Sequence, residues 1–313
     1  MLELSKRFLK LISINEIDTK KYYRIERKFI NLIHRYRFLR PHDRISNDVL
    51  DAPDGHIIPI RIFYPEARTK SFLLIFFHGG GWVTGDLDSY EKVCLHMAEE
   101  TGCIVVSVEY RLAPENKFPA APNDCFFVTE LLHKNARKLG FKSNELVLVG
   151  DSAGGNLAAV VSLMARDQGK AFPAKQILFY PATDSDHGPD SPYPSVHENG
   201  ESYVLTNRRI HDFIDLYRRD AHDMTDPYFA PIHAEDMSHQ PDTLIITAEF
   251  DPLRDEGVAY GKRLQAAGNR VDVHCIEDAL HGFLSNRLLF SKPVAQSYQY
   301  INQFLQKESD EKN

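Results

Sequence analysis

Short runs of apolar and β-branched residues recur along most of the chain. They lie at residues 56–64, 71–77, 103–110, 145–151, 175–180, 242–250 and 270–276. Segments of helical length separate most of them, chiefly residues 121–138, 153–168 and 253–267. Strands that alternate with helices predict an α/β fold, with a mostly parallel central sheet flanked by helices. The nearly continuous apolar runs fit strands covered on both faces, whereas the first run alternates as an edge or hairpin strand does.

An amphipathic helix is predicted near the start of the chain, over residues 20–40. Its apolar residues recur at helical spacing: Tyr22, Ile25, Phe29, Leu32 or Ile33, and Tyr36. The opposite side is basic, so such a helix either packs its apolar stripe on its own domain or lies on an anionic membrane. We favour packing, with the charged face in solvent. Pro41 predicts the end of the helix.

One stretch interrupts the alternation of strands and helices. Residues 181–200 are rich in proline, aspartate, serine and glycine, and a helical run follows at 207–219. A long insertion within a compact domain usually has a function. Because this one follows a strand end, we expect it to arch over the ligand crevice of the sheet.

Composition narrows the class of protein. The chain has 313 residues, 43% of them hydrophobic, and a net charge of −7, which does not suggest a nucleic-acid binder. The longest unbroken apolar run, residues 72–77, falls well short of the ~20 residues of a membrane span, and no signal peptide is recognisable. The four cysteines form no CxxC pair, which indicates free thiols rather than zinc ligands. We therefore expect a soluble, cytoplasmic protein with no nucleic-acid or membrane partner.

The segment GDSAG, residues 150–154, joins the strand run at 145–151 to the helical run at 153–168. A strand-to-helix turn is the setting that a G-x-S-x-G nucleophile elbow requires. The motif alone is weak, because a glycine-rich turn with Ser152 as a helix N-cap would have the same letters. Its position favours Ser152 as a nucleophile.

The segment HGGGW, residues 78–82, follows the strand run at 71–77. Three consecutive glycines expose backbone N–H groups, which could bind a developing oxyanion together with the amide of Ala153. The alternatives are a flexible turn or a phosphate-binding loop. Phosphate binding is the weaker of these, since neither a G-x-G-x-x-G spacing nor a Walker lysine is present.

A carboxylate and a histidine late in the chain suit the remaining triad positions. Asp251 ends a strand run, where it could also be a simple helix N-cap. His281 is one of 14 histidines, but it follows the final strand. The order Ser, Asp, His is that of α/β-hydrolase triads, in which the base activates the serine and the carboxylate orients the base. Asp255 and Asp278 compete for the last role; we favour Asp251 because a strand end is a rigid platform.

Five motifs together resemble the hormone-sensitive-lipase-like esterases of the α/β-hydrolase superfamily (bacterial family IV), and among them the bacterial acetyl esterases. They are HGGGW (78–82), YRLAPE (110–115), GDSAGGN (150–156), EFDPLRDEG (249–257) and HGF (281–283). The resemblance implies the α/β-hydrolase fold and six site residues. These are Ser152 as nucleophile, Asp251 as acid, His281 as base, and Gly79, Gly80 and Ala153 as oxyanion donors.

The resemblance also implies a helical cap over the pocket. The expected organisation is an N-terminal helical cap segment, residues 1–45, and an α/β-hydrolase catalytic domain, residues 46–313, with a cap insertion at about 181–220. Trp82 and Phe283 flank the site and either wall the acyl pocket or pack in the core.

We expect a serine carboxylesterase that hydrolyses small esters with acetyl to butyryl chains through an acyl-enzyme. No cofactor or metal is expected. The partner is a small-molecule ester, and a homo-oligomer is possible. The alternatives are an amidase or peptidase with the same triad, or a non-catalytic ligand-binding relative.

Overall fold

A computed structural model describes residues 18–35, 43–171 and 173–306 of the chain. Eight strands in these residues form one sheet. They are β1 (Ile45–Asp51), β2 (Ile57–Phe63), β3 (Leu73–Phe77), β4 (Ile104–Val108), β5 (Leu146–Asp151), β6 (Lys175–Phe179), β7 (Asp242–Phe250) and β8 (Val271–Leu280). Their order across the sheet is β1-β2-β4-β3-β5-β6-β7-β8. Strands β3 to β8 pair in parallel, and β2 is antiparallel to both of its neighbours, so the predicted mostly parallel sheet is confirmed.

Helices cover both faces of the sheet. They are α1 (Thr19–Arg35), α2 (Glu91–Thr101), α3 (Ala120–Lys134), α4 (Ala153–Asp167), α5 (Pro194–Asn199), α6 (Asn207–Tyr217), α7 (Arg254–Ala266) and α8 (Ser291–Gln306). Helices α3, α4 and α7 contribute to the core on one face, and α2 and α8 to the core on the other. All side chains of β3 are buried, alternately in the two cores. This double cover is why the inner strands read as continuous apolar runs.

Strand β1 has no counterpart among the predicted strands. It pairs antiparallel with β2 from Ile45 to Asp51, so β2 belongs to a hairpin as its alternation suggested, and β1 forms the edge of the sheet. The sequence of β1, ISNDVLD, is mostly polar because much of this edge strand faces solvent. A search for apolar runs therefore misses it.

The N-terminal helix differs from the prediction on its apolar side. In α1, Tyr22 and Ile25 of the apolar stripe are 39% and 63% exposed, so the prediction that the stripe is buried is wrong for these two residues. Side chains of the stripe from Phe29 onward, and the predicted end at Pro41, lie outside the described residues. The basic side lies mostly in solvent, as predicted; its exposed residues are Lys20, Lys21, Arg24 and Lys28.

Three charged side chains of α1 contact neighbouring parts of the chain. Lys20 pairs with Asp215 on α6, and Glu26 pairs with Arg209 on the same helix. Arg27 donates to the backbone carbonyls of residues 83 and 113. Because α6 presents charges complementary to those of α1, ion pairs contribute to holding the two helices together.

The carboxyl ends of β3, β5, β7 and β8 lead into the four motifs that carry the predicted site. Helices α1 and α6, together with the segment after β6, lie beside these strand ends and contribute side chains to one cavity. No helix in residues 18–35, 43–171 or 173–306 is both long and apolar enough to span a bilayer. The predicted boundary between residues 45 and 46 and the cap limits of 181–220 stay predictions.

Candidate active site

Ser152 occupies a sharp turn between β5 and α4. Its backbone has φ 56° and ψ −120°, a conformation that a non-glycine residue adopts only when its surroundings enforce it. The Ser152 amide donates to the Phe179 carbonyl at the end of β6, over 2.9 Å. A Cβ on Gly154 would lie 1.9 Å from the Phe77 carbonyl oxygen, and one on Gly150 would lie 2.1 Å from the Gly154 carbonyl oxygen. Both glycines of the motif are therefore required by close backbone approach.

The three predicted triad residues form one hydrogen-bonded chain. His281 Nε2 lies 2.9 Å from Ser152 Oγ, and His281 Nδ1 lies 2.7 Å from Asp251 Oδ2. Asp251 is fully buried, and its other oxygen accepts the Leu253 amide over 2.9 Å. We assign the ring proton to Nδ1, since the carboxylate can only accept there. Nε2 is then free to accept the Ser152 proton.

Of the two competing residues, Asp255 has other partners for its carboxylate, and Asp278 is held through its backbone amide. Asp255 accepts the Ser195 amide over 2.7 Å and pairs with Arg254, and these contacts lower its pKa against the opposing effect of burial. The Asp278 amide donates to Glu249. Of the three carboxylates considered, the structure brings only Asp251 to His281. In the described ranges, no three His, Cys, Asp or Glu side chains are grouped so as to hold a metal ion.

Free backbone amides lie beside Ser152, the predicted nucleophile. In the part of the chain that the structure describes, the Gly80 and Ala153 amides have no hydrogen-bond partner in the protein. The Gly79 amide, the third predicted donor, is already bonded to Asp151 Oδ1 over 2.7 Å. Gly80 has φ 115°, and a Cβ there would lie 2.3 Å from the Thr84 carbonyl oxygen. The Gly80 and Ala153 amides are thus free to bind an oxyanion, whereas the Gly79 amide holds the loop in place.

We name residues 78–82, the HGGGW segment, the oxyanion loop after their predicted role, and Asp151 braces this loop against the elbow. Its Oδ1 accepts the Gly79 amide, and its Oδ2 accepts the Tyr90 hydroxyl over 3.1 Å. Burial raises the pKa of Asp151 to about 6, although hydrogen bonds from Tyr90 and Gly79 and the charge of His281 act in the opposite direction. Because Asp151 directly precedes Ser152, it ties the oxyanion loop to the nucleophile.

His78 is a structural histidine. It is fully buried, which lowers its pKa to about 4, so it is neutral near pH 7. Tyr110 stacks on its ring at 4.3 Å and donates its hydroxyl to the His78 carbonyl over 2.6 Å. These contacts fix the position of His78, the first residue of the HGGGW segment.

A cavity of about 220 Å³ opens over Ser152. Its wall is mostly apolar side chains of α6 and the residues before it, with Trp82 from the oxyanion loop. The apolar members are Trp82, Val204, Leu205, Ile210, Phe213, Ile214 and Leu253. Charged and polar side chains also line it, among them Glu26, Asp184, His187 and Arg209. The N-terminal helix and the segment after β6 thus contribute to the wall of the cavity. Both lie in the parts of the chain that were predicted to form the cap.

Of the two aromatic residues predicted to flank the pocket, only Trp82 lines it. Trp82 stacks on Tyr217, with ring centroids 4.5 Å apart. Phe283 is fully buried in the core on the far side of the sheet, where its ring packs edge-on against Tyr180. Gly282, with φ 79°, turns the chain so that the next side chain enters the core. The acyl-pocket role for Phe283 is therefore corrected to core packing.

Sequence reasoning did not identify the polar residues of the wall. His187 lies within the insertion at 181–200 that composition marked as functional, but nothing singled out the residue itself. Glu256, its partner, is 69 positions later and lies within the EFDPLRDEG motif, from which no separate role was predicted for it. Only the fold brings such pairs together.

The sheet order, the elbow and the hydrogen-bonded Ser–His–Asp chain define an α/β hydrolase. A family model described as alpha/beta hydrolase fold matches residues 74–285. The chain belongs to this family, and within it to the hormone-sensitive-lipase-like esterases, the carboxylic ester hydrolases that its motifs predicted.

Several known proteins that are similar to this chain are named esterases or ester hydrolases. Carboxylic ester hydrolase LipN of Mycobacterium tuberculosis is 40% identical over 255 residues, which cover 78% of this chain and 66% of LipN. The arylesterase of Saccharolobus solfataricus is 35% identical over 277 residues, covering 87% of this chain and 88% of that enzyme. The solved structure of a hyperthermophilic esterase from Pyrobaculum calidifontis has a TM-score of 0.85 at 33% identity, covering 96% of both chains.

Proposed function

We propose that this protein is a serine carboxylesterase that hydrolyses small esters with acetyl to butyryl chains through an acyl-enzyme. One observation carries the proposal: His281 lies in hydrogen-bond contact with both Ser152 Oγ and the buried Asp251 carboxylate. The arrangement is the one that general-base activation of a serine requires. The names of the relatives, esterases and ester hydrolases, support an ester as the substrate.

The first half of the reaction forms the acyl-enzyme. His281 Nε2 takes the proton of Ser152 as Oγ attacks the ester carbonyl carbon. The carbonyl oxygen becomes an oxyanion, which accepts hydrogen bonds from the amides of Gly80 and Ala153. The bond to the leaving oxygen then breaks, and the proton on His281 Nε2 passes to the departing alcohol.

The second half hydrolyses the acyl-enzyme by the same groups. His281 takes a proton from a water molecule, whose oxygen attacks the acyl carbon. The same two amides stabilise the new oxyanion. When it collapses, Ser152 leaves as an alkoxide and recovers its proton from His281, and the carboxylic acid is released. Asp251 stays ionised throughout and stabilises the imidazolium.

The size of the cavity supports the proposed preference for short acyl chains. About 220 Å³ is available, and Trp82, Phe213 and Leu205 are among the bulky side chains that line it. An open apolar site would gain ~0.8 kcal/mol for each methylene buried, and would therefore favour long chains. Where the wall blocks a longer acyl chain, the added methylenes overlap with its side chains and this gain in binding free energy is lost. The segment at 181–200 is polar and does not form a long apolar lid of the kind that opens at a lipid surface.

The test is kcat/KM over a series of p-nitrophenyl esters from acetyl to dodecanoyl. We expect the maximum between two and four acyl carbons, and a steep fall by about eight to ten. A maximum at octanoyl or beyond, or activation by emulsified triglyceride, would contradict the short-chain proposal. The matched p-nitroanilide of acetate separates an esterase from an amidase: equal kcat/KM for anilide and ester would favour the amidase.

We also propose a cytoplasmic location. All four cysteines are free thiols, three of them buried and Cys275 exposed. Unpaired cysteines persist best in a reducing compartment. Labelling of Cys275 in freshly lysed cells, with no prior reduction, is the corresponding check.

A further inference from the structure

The mostly apolar wall of the cavity over Ser152 contains an arginine that the triad does not use. Arg209 lies in the first turn of α6 and lines this cavity. Its side chain is 30% exposed, so it remains accessible to a molecule that enters the cavity. The structure therefore places an accessible cation beside the space that a substrate would occupy.

Two neighbouring side chains hold the guanidinium itself, and not only the stem of Arg209, at this wall. Nη2 donates to Glu26 Oε1 on α1, and Cζ lies 5.5 Å from the centre of the Phe213 ring. Glu26 and Phe213 both line the cavity as well. Because the guanidinium lies between two side chains of the wall, it belongs to the wall, and both contacts restrict its orientation.

Two of the three guanidinium nitrogens have no partner in the part of the chain that the structure describes. Glu26 occupies Nη2, whereas Nε and Nη1 bond to no described protein group. Together these two nitrogens carry three N–H groups. Arginine stays protonated in proteins, so they are donors at any pH at which the enzyme is folded.

The position of Arg209 relative to the reacting groups follows from α6. Phe213 packs on the oxyanion loop, where a Cβ on Gly81 would lie 2.3 Å from its ring. Arg209 precedes Phe213 by four residues, which corresponds to about 6 Å along a helix. A substrate group bound at Arg209 therefore lies beyond Phe213 from the oxyanion loop, and it is a different group from the carbonyl that Ser152 attacks.

The surroundings of Arg209 favour a neutral oxygen as its acceptor. Glu26 already balances the charge of Arg209, and the second Glu26 oxygen has no hydrogen-bond partner among the described residues. Asp151 and Asp184, which also line the cavity, add negative charge. A carboxylate bound at Arg209 would be repelled by these groups, whereas a carbonyl oxygen accepts hydrogen bonds without bringing a charge.

We propose that Arg209 is a specificity-determining residue whose free N–H groups bind a carbonyl oxygen of the substrate outside the reacting ester group. The preferred substrates are then esters with a second carbonyl group, such as a ketone, in their acyl or alcohol part. The inference rests on the proposed esterase function and goes beyond it by naming a chemical feature of the substrate.

Two pairs of esters that differ by a carbonyl group in place of one methylene test this role. In the acyl part, p-nitrophenyl 4-oxopentanoate is compared with p-nitrophenyl pentanoate. In the alcohol part, 4-oxopentyl acetate is compared with pentyl acetate. The quantity measured is the ratio of kcat/KM within each pair. Because intrinsic reactivity affects every variant equally, a change of this ratio between variants reports a change in the protein's contacts.

Four variants separate the contact from the fold. Arg209→Met removes the three free donors and keeps an unbranched stem, but it leaves Glu26 without its partner. The same substitution is therefore also made in a Glu26→Gln background, with Glu26→Gln alone as its reference. Arg218→Met is the matched control: Arg218 follows α6, is also 30% exposed and pairs with Asp215, but it does not line the cavity. Thermal unfolding verifies that each variant is folded.

A carboxylate probe separates a neutral ligand from an anionic one. The ester 4-acetoxybutanoate has the shape of 4-oxopentyl acetate, with a charged oxygen in place of the terminal methyl group. We expect its kcat/KM in the wild-type protein to lie below that of the ketone. A carboxylate preferred over the ketone, with the preference lost in Arg209→Met, would overturn the assignment of a neutral carbonyl.

We expect Arg209→Met to lower the carbonyl-to-methylene ratio about tenfold in at least one pair, the size of one lost hydrogen bond from a charged donor. The same fall should separate Glu26→Gln from Glu26→Gln/Arg209→Met, and Arg218→Met should retain the wild-type ratio. Hydrolysis of all four esters with both ratios unchanged in Arg209→Met would overturn the role of Arg209 alone. Failure of the wild-type protein to hydrolyse any of the four would overturn the esterase proposal and this inference with it.

Discussion

Replacing Ser152 with alanine removes the oxygen that His281 contacts and leaves the rest of the elbow in place. The Ser152 backbone is held by the hydrogen bond from its amide to the Phe179 carbonyl and by the close approach of Gly154 to Phe77. Alanine at position 152 does not disturb either contact. We expect ester hydrolysis to fall by about 10⁴-fold or more in a folded protein, since triad residues act as a unit.

The measurement is kcat/KM for p-nitrophenyl acetate, with mass spectrometry after treatment with a fluorophosphonate. Wild-type protein should gain one adduct and Ser152→Ala none. A folded variant with near-normal turnover would contradict the nucleophile assignment.

Asp251 and Asp255 lie four residues apart and offer a matched comparison. Asp251→Asn should lower kcat about 10³–10⁴-fold, because the amide can donate toward His281 and favour the wrong tautomer of the ring. Asp255→Asn should leave kcat within about threefold, since Asp255 holds Ser195 and Arg254 instead. The triad assignment is mistaken if turnover collapses only in the Asp255 variant.

Asp151 gives a prediction for stability against pH. Its pKa rises from 3.8 to about 6 on folding because the carboxyl is buried. The native state then binds this proton more tightly than the unfolded state does. The resulting stabilisation is complete below about pH 4 and is lost as the pH rises through about 6.

Asp151→Asn has no such proton and serves as the reference. The free energy of unfolding of wild type minus that of Asp151→Asn should fall by about 1 kcal/mol between pH 5 and pH 7. Urea denaturation at the two pH values measures it. A difference that is constant, or that grows with pH, would show that the pKa of Asp151 is not raised.

Helix α6 contacts the oxyanion loop directly. A Cβ on Gly81 would lie 2.3 Å from the ring of Phe213, so the loop backbone packs against the face of this side chain. Phe213 also lines the cavity. The position of α6 therefore sets both the width of the pocket and the space left for the loop.

Phe213→Ala should move the best acyl chain about two to four carbons longer, because the removed ring leaves space beside the nucleophile. Phe118→Ala is the matched control. Phe118 is equally buried and packs on Tyr217 and Phe229, but it does not line the cavity. Both variants should lose about 3 kcal/mol of unfolding free energy, and only the first should change the chain-length profile. Identical profiles would exclude Phe213 from the acyl pocket.

The fold of the molecule was largely predictable because its inner strands are buried on both sides and carry few polar residues. The exceptions have physical causes. Strand β1 is a polar edge that backbone pairing with β2 defines. The periodicity of α1 predicts an apolar side, but it does not show that Tyr22 and Ile25 on that side are exposed or that Lys20 and Glu26 pair with α6.

The triad was predictable because its residues follow strand ends in a fixed order, and those ends meet at one edge of a parallel sheet. Residues of the pocket wall have no such constraint. Phe283 follows His281 by two positions, yet the turn at Gly282 sends it into the opposite core. His187 and Glu256 meet only because the segment after β6 folds back onto α7.

The elbow is fixed almost entirely by main-chain atoms: the carbonyl of Phe77 beneath Gly154, and the carbonyl of Phe179 that receives the Ser152 amide. The pocket wall, in contrast, is made of side chains from α1, α6 and the segment after β6. The two can therefore change independently over evolutionary time. Substitutions in the wall can change the substrate range of a descendant of this chain, while the inherited backbone keeps the chemistry unaltered.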